Sequence, residues 1–288
     1  MIPPHDAIDP RLPQPVRHAV QAFLKPERVV ATEAEQQLLN RAEAQRLSGE
    51  GQDLAVWRWR PPAPAADAPA VLLVHGWNSR GSHLGAFVPP LLAAGFTVWT
   101  FDAHAHGDSG GAVSSVVHHA RSVWRVAQAA GDIAAVIAHS VGSPATLLAA
   151  GWGLSLQASV HLAGPAALRR VALAAADAGG LDPAHTPAYL AAIEQMAGLP
   201  LDAVQPPALT APLRHRGLLW HDPADREIPI AESEALAAHW PDAALRRVTG
   251  LGHRRLLRDP AVIASSIDFL DAHLTARFTT AADTPPAG

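Results

Sequence analysis

The sequence predicts an α/β protein, with a mostly parallel sheet, helices on both faces and a helical insertion. Short apolar runs alternate with longer stretches of helical periodicity, which indicates strands joined by crossover helices. The chain has 288 residues, enough for one large domain with a substantial core. The alternation stops in one interval, between Gly164 and Arg216, and resumes after it.

Residues 1–50 are predicted to form an N-terminal helical segment. Within it, Val16 to Phe23 and Thr32 to Leu47 are amphipathic stretches, and the second has acidic residues early and Arg46 late, as the helix dipole favours. Residues 51–163 and 217–278 are predicted to form the α/β core, and residues 279–288 a flexible tail.

The core begins with alternating apolar and polar residues at 54–59, which predict a strand. Continuous apolar runs predict further strands at 70–74, 96–101, 133–138, 158–162, 217–220 and 244–248. Helices are predicted between them at 84–94, 114–130, 141–150 and 231–240, and after them at 260–274.

Residues 164–216 contain alanine-rich helical stretches interrupted by Gly and Pro, without a strand pattern. A structureless loop of this length is improbable in a compact domain. We therefore predict a small helical cap over the carboxyl edge of the sheet.

Composition excludes several kinds of chemistry. The chain has no cysteine, which excludes disulfides, zinc–thiolate sites and thiol catalysis. Lys25 is its only lysine and lies outside any glycine-rich loop, which argues against pyridoxal phosphate and nucleoside triphosphate chemistry. A net charge of −4 gives no electrostatic reason to expect nucleic acid or an anionic membrane as a partner.

Targeting signals also follow from the sequence. Met1 to Arg17 contains prolines and charges but no apolar segment of a secretory signal. No apolar run approaches the roughly 18 residues of a membrane span. We therefore expect a cytoplasmic protein without a membrane span, needing no cofactor; the sequence leaves its oligomeric state open.

The segment from Val136 to Ala145 is the most informative motif. An apolar strand runs into Ala138-His139-Ser140-Val141-Gly142, and a helix is predicted to follow. This small-x-Ser-x-Gly pattern is typical of a nucleophile elbow, a sharp strand-to-helix turn that exposes a serine hydroxyl. Ser140 is therefore a candidate nucleophile.

A serine hydroxyl needs a histidine to take its proton and an acid to orient that histidine. His253 lies in a Gly-rich loop after the last predicted strand, and Asp225 lies in the loop after the preceding one. The carboxyl ends of parallel strands share one edge, where ligand sites form. Asp222, three residues before Asp225, is the alternative acid.

An oxyanion hole would complete the site. It requires two N–H donors aimed at the developing negative charge. The candidates are the backbone N–H of Val141, directly after the serine, and that of Trp77, in the loop after the strand at 70–74.

Together these residues resemble the α/β-hydrolase family from Val71 to the final helix. The matching pieces are His75-Gly76, Asp102-x-x-x-His106-Gly107-x-Ser109, the Ser140 turn, Asp225 with Ile228-Pro229, and Gly252-His253. The resemblance implies an eight-stranded, mostly parallel sheet, a Ser-Asp-His order and a cofactor-free hydrolase, often with a helical cap. It favours Asp225 as the acid. Ala138 replaces the family's usual glycine, and we expect a slightly wider turn with the chemistry intact.

The function predicted on this basis is a serine hydrolase that cleaves a carboxylic ester or related acyl bond of a small-molecule substrate. One alternative is a catalytically inert member of the fold that only binds a ligand. Another is a metal-dependent hydrolase, because His104, His106 and Asp108 form a His-x-His-x-Asp pattern after a strand.

Overall fold

One eight-stranded sheet organises the chain. The computed structural model describes residues 8–49, 51–62 and 68–274. The strands are β1 Glu43–Gly49, β2 Gln52–Trp59, β3 Ala70–Val74, β4 Thr97–Phe101, β5 Ile133–His139, β6 Ala158–Leu162, β7 Arg216–His221 and β8 Ala243–Arg247. Their spatial order is β1-β2-β4-β3-β5-β6-β7-β8. β1 and β2 pair antiparallel, as do β2 and β4, and the remaining pairs are parallel.

Helices cover both faces of this sheet. They are α1 Gln14–Leu24, α2 Glu33–Leu39, α3 Val88–Ala93, α4 Val116–Ala130, α5 Gly142–Gly151, α6 Leu168–Ala178, α7 Thr186–Ala197, α8 Pro206–Thr210, α9 Ala231–His239 and α10 Pro260–His273. Within β3, Val71 and Leu73 belong to the core that includes α3 and α10 residues, whereas Leu72 and Val74 face the core that includes α4 residues. All five β3 residues are buried, which explains the continuous apolar run. The prediction of an α/β sheet with helices on both faces is confirmed.

The predicted helix from Thr32 to Leu47 is wrong in its second half. α2 ends at Leu39, and residues from Glu43 form β1, an edge strand that pairs with β2. Glu, Ala, Gln, Arg and Leu favour helices, but backbone pairing with β2 overrides that weak preference. Glu43 forms an ion pair across the sheet with Arg58. Residues 1–50 are therefore not an entirely helical segment.

The start of the helix predicted at 84–94 also differs. Gly81–Phe87 forms a 3-10 helix, and α3 follows with prolines in its first turn. A proline lacks an N–H, so it is tolerated where that group has no intrahelical partner.

The cap interval contains α6, α7 and α8 between β6 and β7. α1, from the N-terminal segment, packs on the same group, and Val16, Val20 and Leu24 share a buried cluster with Tyr189 and Ile193. The sequence did not predict that α1 joins the cap. The predicted tail, residues 279–288, lies outside the described residues. Among the helices of the described chain, none combines the length and apolar character that crossing a membrane requires.

Candidate active site

Ser140 lies at the turn between β5 and α5, with a backbone φ of +51°. Non-glycine residues rarely adopt this left-handed conformation, and such strain is found at functional sites. The Ser140 N–H donates to the Leu162 carbonyl (2.9 Å), and the Ser140 carbonyl accepts from the Ser143 N–H (2.9 Å). These bonds hold the strained turn between β6 and the first turn of α5.

Small residues make room for the turn. A Cβ at Gly142 would lie 2.7 Å from the His75 carbonyl oxygen, and one at Gly76 would lie 2.8 Å from the Ser140 Cβ. Neither position therefore accepts a side chain without movement of the backbone. Ala138 is fully buried and pairs with Val74 in β3. That this alanine leaves the chemistry intact stays a prediction.

Asp225 is the carboxylate beside His253. The Nδ1 atom of His253 lies 2.8 Å from Asp225 Oδ2, and both side chains are buried. Asp225 Oδ1 accepts the N–H groups of Glu227 (2.8 Å) and Ile228 (3.0 Å). Burial alone would raise the pKa of Asp225, but the hydrogen bonds from His253 and these N–H groups hold it below its usual value. The ionised carboxylate accepts a hydrogen bond from Nδ1–H, which leaves the unprotonated Nε2 of His253 able to act as a base.

Asp222 faces a different part of the loop. Its Oδ2 accepts the N–H groups of Leu251 and Gly252 (2.6 Å each), and its Oδ1 accepts the N–H of Ala224 (2.8 Å). These bonds, first that of Gly252, lower the pKa of Asp222. The structure therefore brings Asp222 to the backbone that carries His253, and Asp225 to the imidazole itself.

The loop after β3 contains Trp77. His75, at its start, accepts the Ala103 N–H at Nε2 (2.9 Å) and therefore carries its proton on Nδ1, which donates to the Gly76 carbonyl (2.7 Å). Burial lowers the pKa of His75 well below its usual value, so the neutral ring persists. This holds the loop that places Trp77, and Trp77, Val141, Ser140 and His253 all line one cavity.

The Asp102–Ser109 stretch forms a second supporting loop. Asp102 is buried and accepts hydrogen bonds from the N–H groups of Gly81 and Asp108 (2.8 Å each) and from Arg80 (3.2 Å). Burial raises the pKa of Asp102 to about 6, against the effect of Arg80. A Cβ at Gly107, where φ is +44°, would collide with Asp102. The motif therefore forms a structural turn.

The same loop argues against the metal-dependent alternative. The His104 ring stacks on His118 (5.0 Å between centroids), the His106 ring packs against Trp77 (5.1 Å), and the Asp108 carboxylate pairs with Arg80 (2.6 Å). Over residues 8–49, 51–62 and 68–274, no group of three or more His, Asp or Glu side chains is arranged to hold a metal ion. His104, His106 and Asp108 thus have different partners and are not brought to one centre.

Two cavities meet at Ser140. The larger, about 1000 Å³, lies beneath the cap and is lined mainly by apolar residues of α1, α6 and α7, among them Ala22, Phe23, Val171 and Ile193. The smaller, about 420 Å³, is lined by charged and polar residues. Trp77, Ser140, Glu227 and His253 line both cavities.

Comparison with known proteins agrees with this architecture. A family model described as the alpha/beta hydrolase fold matches residues 69–185, which include β3, the Ser140 turn and α6. The structure adds the strand order of the sheet and the left-handed serine after β5. This chain has the α/β-hydrolase fold. No curated protein matches it.

Solved structures with the same fold are similar over most of the chain. An esterase from Pyrococcus furiosus is 17% identical, with a TM-score of 0.67 over 88% of this chain and 98% of that one. Est1E from Butyrivibrio proteoclasticus, solved with bound ferulic acid, is 17% identical, with a TM-score of 0.65 over 80% and 99%. A proline iminopeptidase from Mycobacterium smegmatis is 17% identical, with a TM-score of 0.59 over 80% and 98%. Identities this low establish the shared fold alone.

Two residues of the candidate site in this α/β-hydrolase-fold chain were not predicted from the sequence. His139 packs its ring on His253 (4.8 Å between centroids) and places Nε2 2.9 Å from the His253 carbonyl oxygen. Glu227 Oε2 lies 3.9 Å from His253 Nε2, and its carboxylate is held by Arg254 (3.0 and 3.2 Å). Their positions beside Ser140 and Asp225 in sequence were the available signals, but neither indicates which way a side chain points.

Proposed function

We propose that this protein is a serine hydrolase that cleaves a carboxylic ester through Ser140, His253 and Asp225. The observation that carries the proposal is the pairing of a strained serine with a buried His–Asp pair in one cavity. Ser140 has a φ of +51°, and the His253 Nδ1 lies 2.8 Å from Asp225 Oδ2. A serine in this left-handed conformation is strained, and such strain is found at functional sites.

In the proposed reaction, His253 Nε2 takes the proton of the Ser140 hydroxyl as the oxygen attacks the acyl carbonyl. Asp225 stabilises the imidazolium and fixes its orientation. The N–H groups of Val141 and Trp77 stabilise the oxyanion. His253 then protonates the leaving alcohol, and water, activated by the same histidine, releases the acid from Ser140.

An ester is the substrate class that we favour, because an alcohol is a better leaving group than an amine. The solved structures of this fold include an esterase, which supports the same choice. The apolar cavity of about 1000 Å³ supports an apolar, drug-sized portion in the substrate.

The test combines a fluorophosphonate probe with p-nitrophenyl esters of increasing acyl length. We expect the probe to label Ser140, and Ser140→Ala to lose both labelling and esterase activity. Ser155→Ala, at an exposed serine before β6, is the matched control and should retain both.

The second candidate is an inert ligand-binding protein of the same fold, which the large apolar cavity also favours. In that case wild-type protein would bind apolar esters without turnover, and the probe would leave Ser140 unlabelled. Activity that survives in Ser140→Ala would contradict both candidates.

A further inference from the structure

The smaller cavity at Ser140 differs from the cap cavity in charge. Its volume is about 420 Å³, and Arg254, Arg255 and Arg258 line it together with His253. The same three arginines do not line the larger cavity. The serine therefore lies where an apolar space and a basic space meet.

The three arginines differ in how far their charges are neutralised. Arg254 forms two hydrogen bonds with the Glu227 carboxylate (3.0 and 3.2 Å), so this pair has no net charge. Arg255 donates to the carbonyl oxygens of Leu251 and Gly250, which carry no formal charge. These contacts do not neutralise the positive charge of the Arg255 guanidinium, which lies next to the loop that carries His253.

Arg258 has a weaker partner and a more exposed position. Its side chain is 74% exposed, and its guanidinium lies 3.9 Å from Glu35 Oε1. The other Glu35 oxygen accepts the Thr32 N–H (2.9 Å), as the capping box of α2. His83 also lines this cavity, and burial lowers its pKa. Within the described chain, Arg254, Arg255 and Arg258 bring three positive charges to this space, and Glu227 and Glu35 bring two negative charges. The space therefore keeps a positive charge.

Chemistry decides which part of a substrate would enter the basic space. The acyl group stays on Ser140 after the first step, whereas the leaving alcohol must lie beside His253 Nε2 to receive its proton. The arginines follow His253 directly in the chain, while the cap and Val141 line the apolar cavity only. The acyl group therefore fits beneath the cap and the leaving group fits beside the arginines.

We propose that the natural substrate is an ester of an apolar acid with an alcohol that carries an anionic group, which Arg255 and Arg258 bind. This inference rests on the proposed serine hydrolase function. Glu227 favours a cationic alcohol less than its position suggests, because Arg254 neutralises its carboxylate. A cationic preference would show that Glu227 acts as a free charge.

The test uses three hexanoyl esters of para-substituted phenols: the sulfonate, the neutral sulfonamide and the trimethylammonium compound. Each kcat/KM is divided by the rate of hydroxide-catalysed hydrolysis of the same ester, which removes differences in leaving-group reactivity. At low salt we expect the sulfonate ester to exceed the neutral ester by about two- to fivefold, as exposed charge pairs allow. The preference should fade as salt screens the charges.

Arg258→Gln should reduce the ratio of sulfonate to neutral ester, and Arg258→Glu should invert it. Arg214→Gln is the matched control. Arg214 is exposed and lies just before β7, at the amino ends of the parallel strands, whereas Ser140 follows the carboxyl end of β5. This variant should keep the wild-type ratio. A neutral or cationic preference in the wild type, or a ratio that Arg258 does not change, would overturn the inference while leaving the hydrolase intact. Hydrolysis that is absent, or that survives Ser140→Ala, would instead overturn the proposed function and the inference with it.

Discussion

Two aspartates three residues apart hold the proposed base, His253, from different directions. Asp225 contacts the imidazole of His253, and Asp222 holds the Leu251 and Gly252 N–H groups (2.6 Å each). One side chain would therefore act on the charge of the base and the other on the shape of its loop. Their substitutions are expected to separate rate from stability.

Asp225→Asn should lower kcat by on the order of 10³–10⁴, because the amide no longer stabilises the imidazolium or its tautomer. Asp222→Asn should cost about 1–3 kcal/mol of unfolding free energy by weakening buried hydrogen bonds, with a much smaller loss of rate. Urea unfolding and ester kinetics on both variants check this. An equal loss of kcat in the two variants would contradict the assignment of Asp225.

His139 contacts the proposed base, His253, from the other side. Burial lowers its pKa to about 3, so its ring stays neutral near neutral pH, and Nε2 donates to the His253 carbonyl (2.9 Å). The residue before the proposed nucleophile is thereby bonded to the backbone of the proposed base. This contact fixes the distance between two loops that come from distant parts of the chain.

His139→Phe should lower kcat by about tenfold with little change in KM, because it keeps the ring packing but loses a hydrogen bond of about 1 kcal/mol and leaves the carbonyl unpaired. His139→Gln should recover part of the rate, since its amide can donate to the same carbonyl. Kinetics on the two variants, with melting temperatures as a control for folding, test this role. If the Gln variant is no faster than the Phe variant, the hydrogen bond has no positioning role.

At the scale of elements, α1 lines the larger cavity although it precedes the whole sheet in sequence. Ala22 and Phe23 line the cavity with Val171 of α6 and Ile193 of α7. The face of α1 that packs on the cap is held by Val16, Val20 and Leu24, which are buried. The size of the cavity is therefore set by an N-terminal helix as well as by the cap.

Ala22→Trp should reduce activity on long-chain esters by roughly tenfold or more and spare acetyl esters, because overpacking costs about 1–3 kcal/mol for a ligand that must displace the ring. Gln21→Trp, at an exposed neighbour that does not line the cavity, is the matched control. A chain-length series on the two variants checks the prediction. A uniform loss at every chain length would contradict it.

At the scale of the whole molecule, the structure buries many neutral imidazoles. Burial is the largest cause of a lowered pKa at His75, His106, His118, His119, His139, His161 and His215. Burial lowers the pKa to about 3 for His118, His139 and His161, and to about 4 for His106 and His215. An unfolded chain would protonate these rings near pH 6.5.

The unfolding free energy should therefore fall as the pH drops below about 6.5, because the unfolded state binds protons that the folded state does not. Each such histidine contributes about 1.4 kcal/mol per pH unit, so several of them approach a total stability of about 5–15 kcal/mol within one or two units. Asp102 has the opposite effect, because burial raises its pKa to about 6 and the folded state then binds one proton that the unfolded state does not. Above pH 7 these groups should have little effect.

Urea unfolding between pH 8 and pH 5 measures this dependence. His161→Gln removes one buried imidazole, which bonds Ser143 and Ser159 (2.7 and 2.8 Å), and should reduce the slope by about one proton. A stability that stays constant down to pH 5 would contradict the prediction.

The sequence by itself determined the sheet, the elbow and the order of the candidate residues. Continuous apolar runs such as 70–74 are typical of strands buried on both faces. Gly142 follows the serine turn because a Cβ there would collide with the backbone at the end of β3. These features depend on local sterics and burial, which neighbouring residues already encode. The turn chemistry of Asp102 to Gly107 was likewise recognisable from the motif that it forms.

Tertiary structure alone decided what depends on partners far away in the chain. Residues from Glu43 became a strand because β2 offered backbone hydrogen bonds, and α1 joined the cap because its apolar face met α7. Asp222 and Asp225 could not be distinguished by spacing, since which carboxylate reaches His253 depends on how two loops meet. The direction of the His139 side chain could not be predicted for the same reason, nor could the cavity that Arg255 and Arg258 share with Ser140. Contacts between distant segments leave no periodic pattern in the sequence.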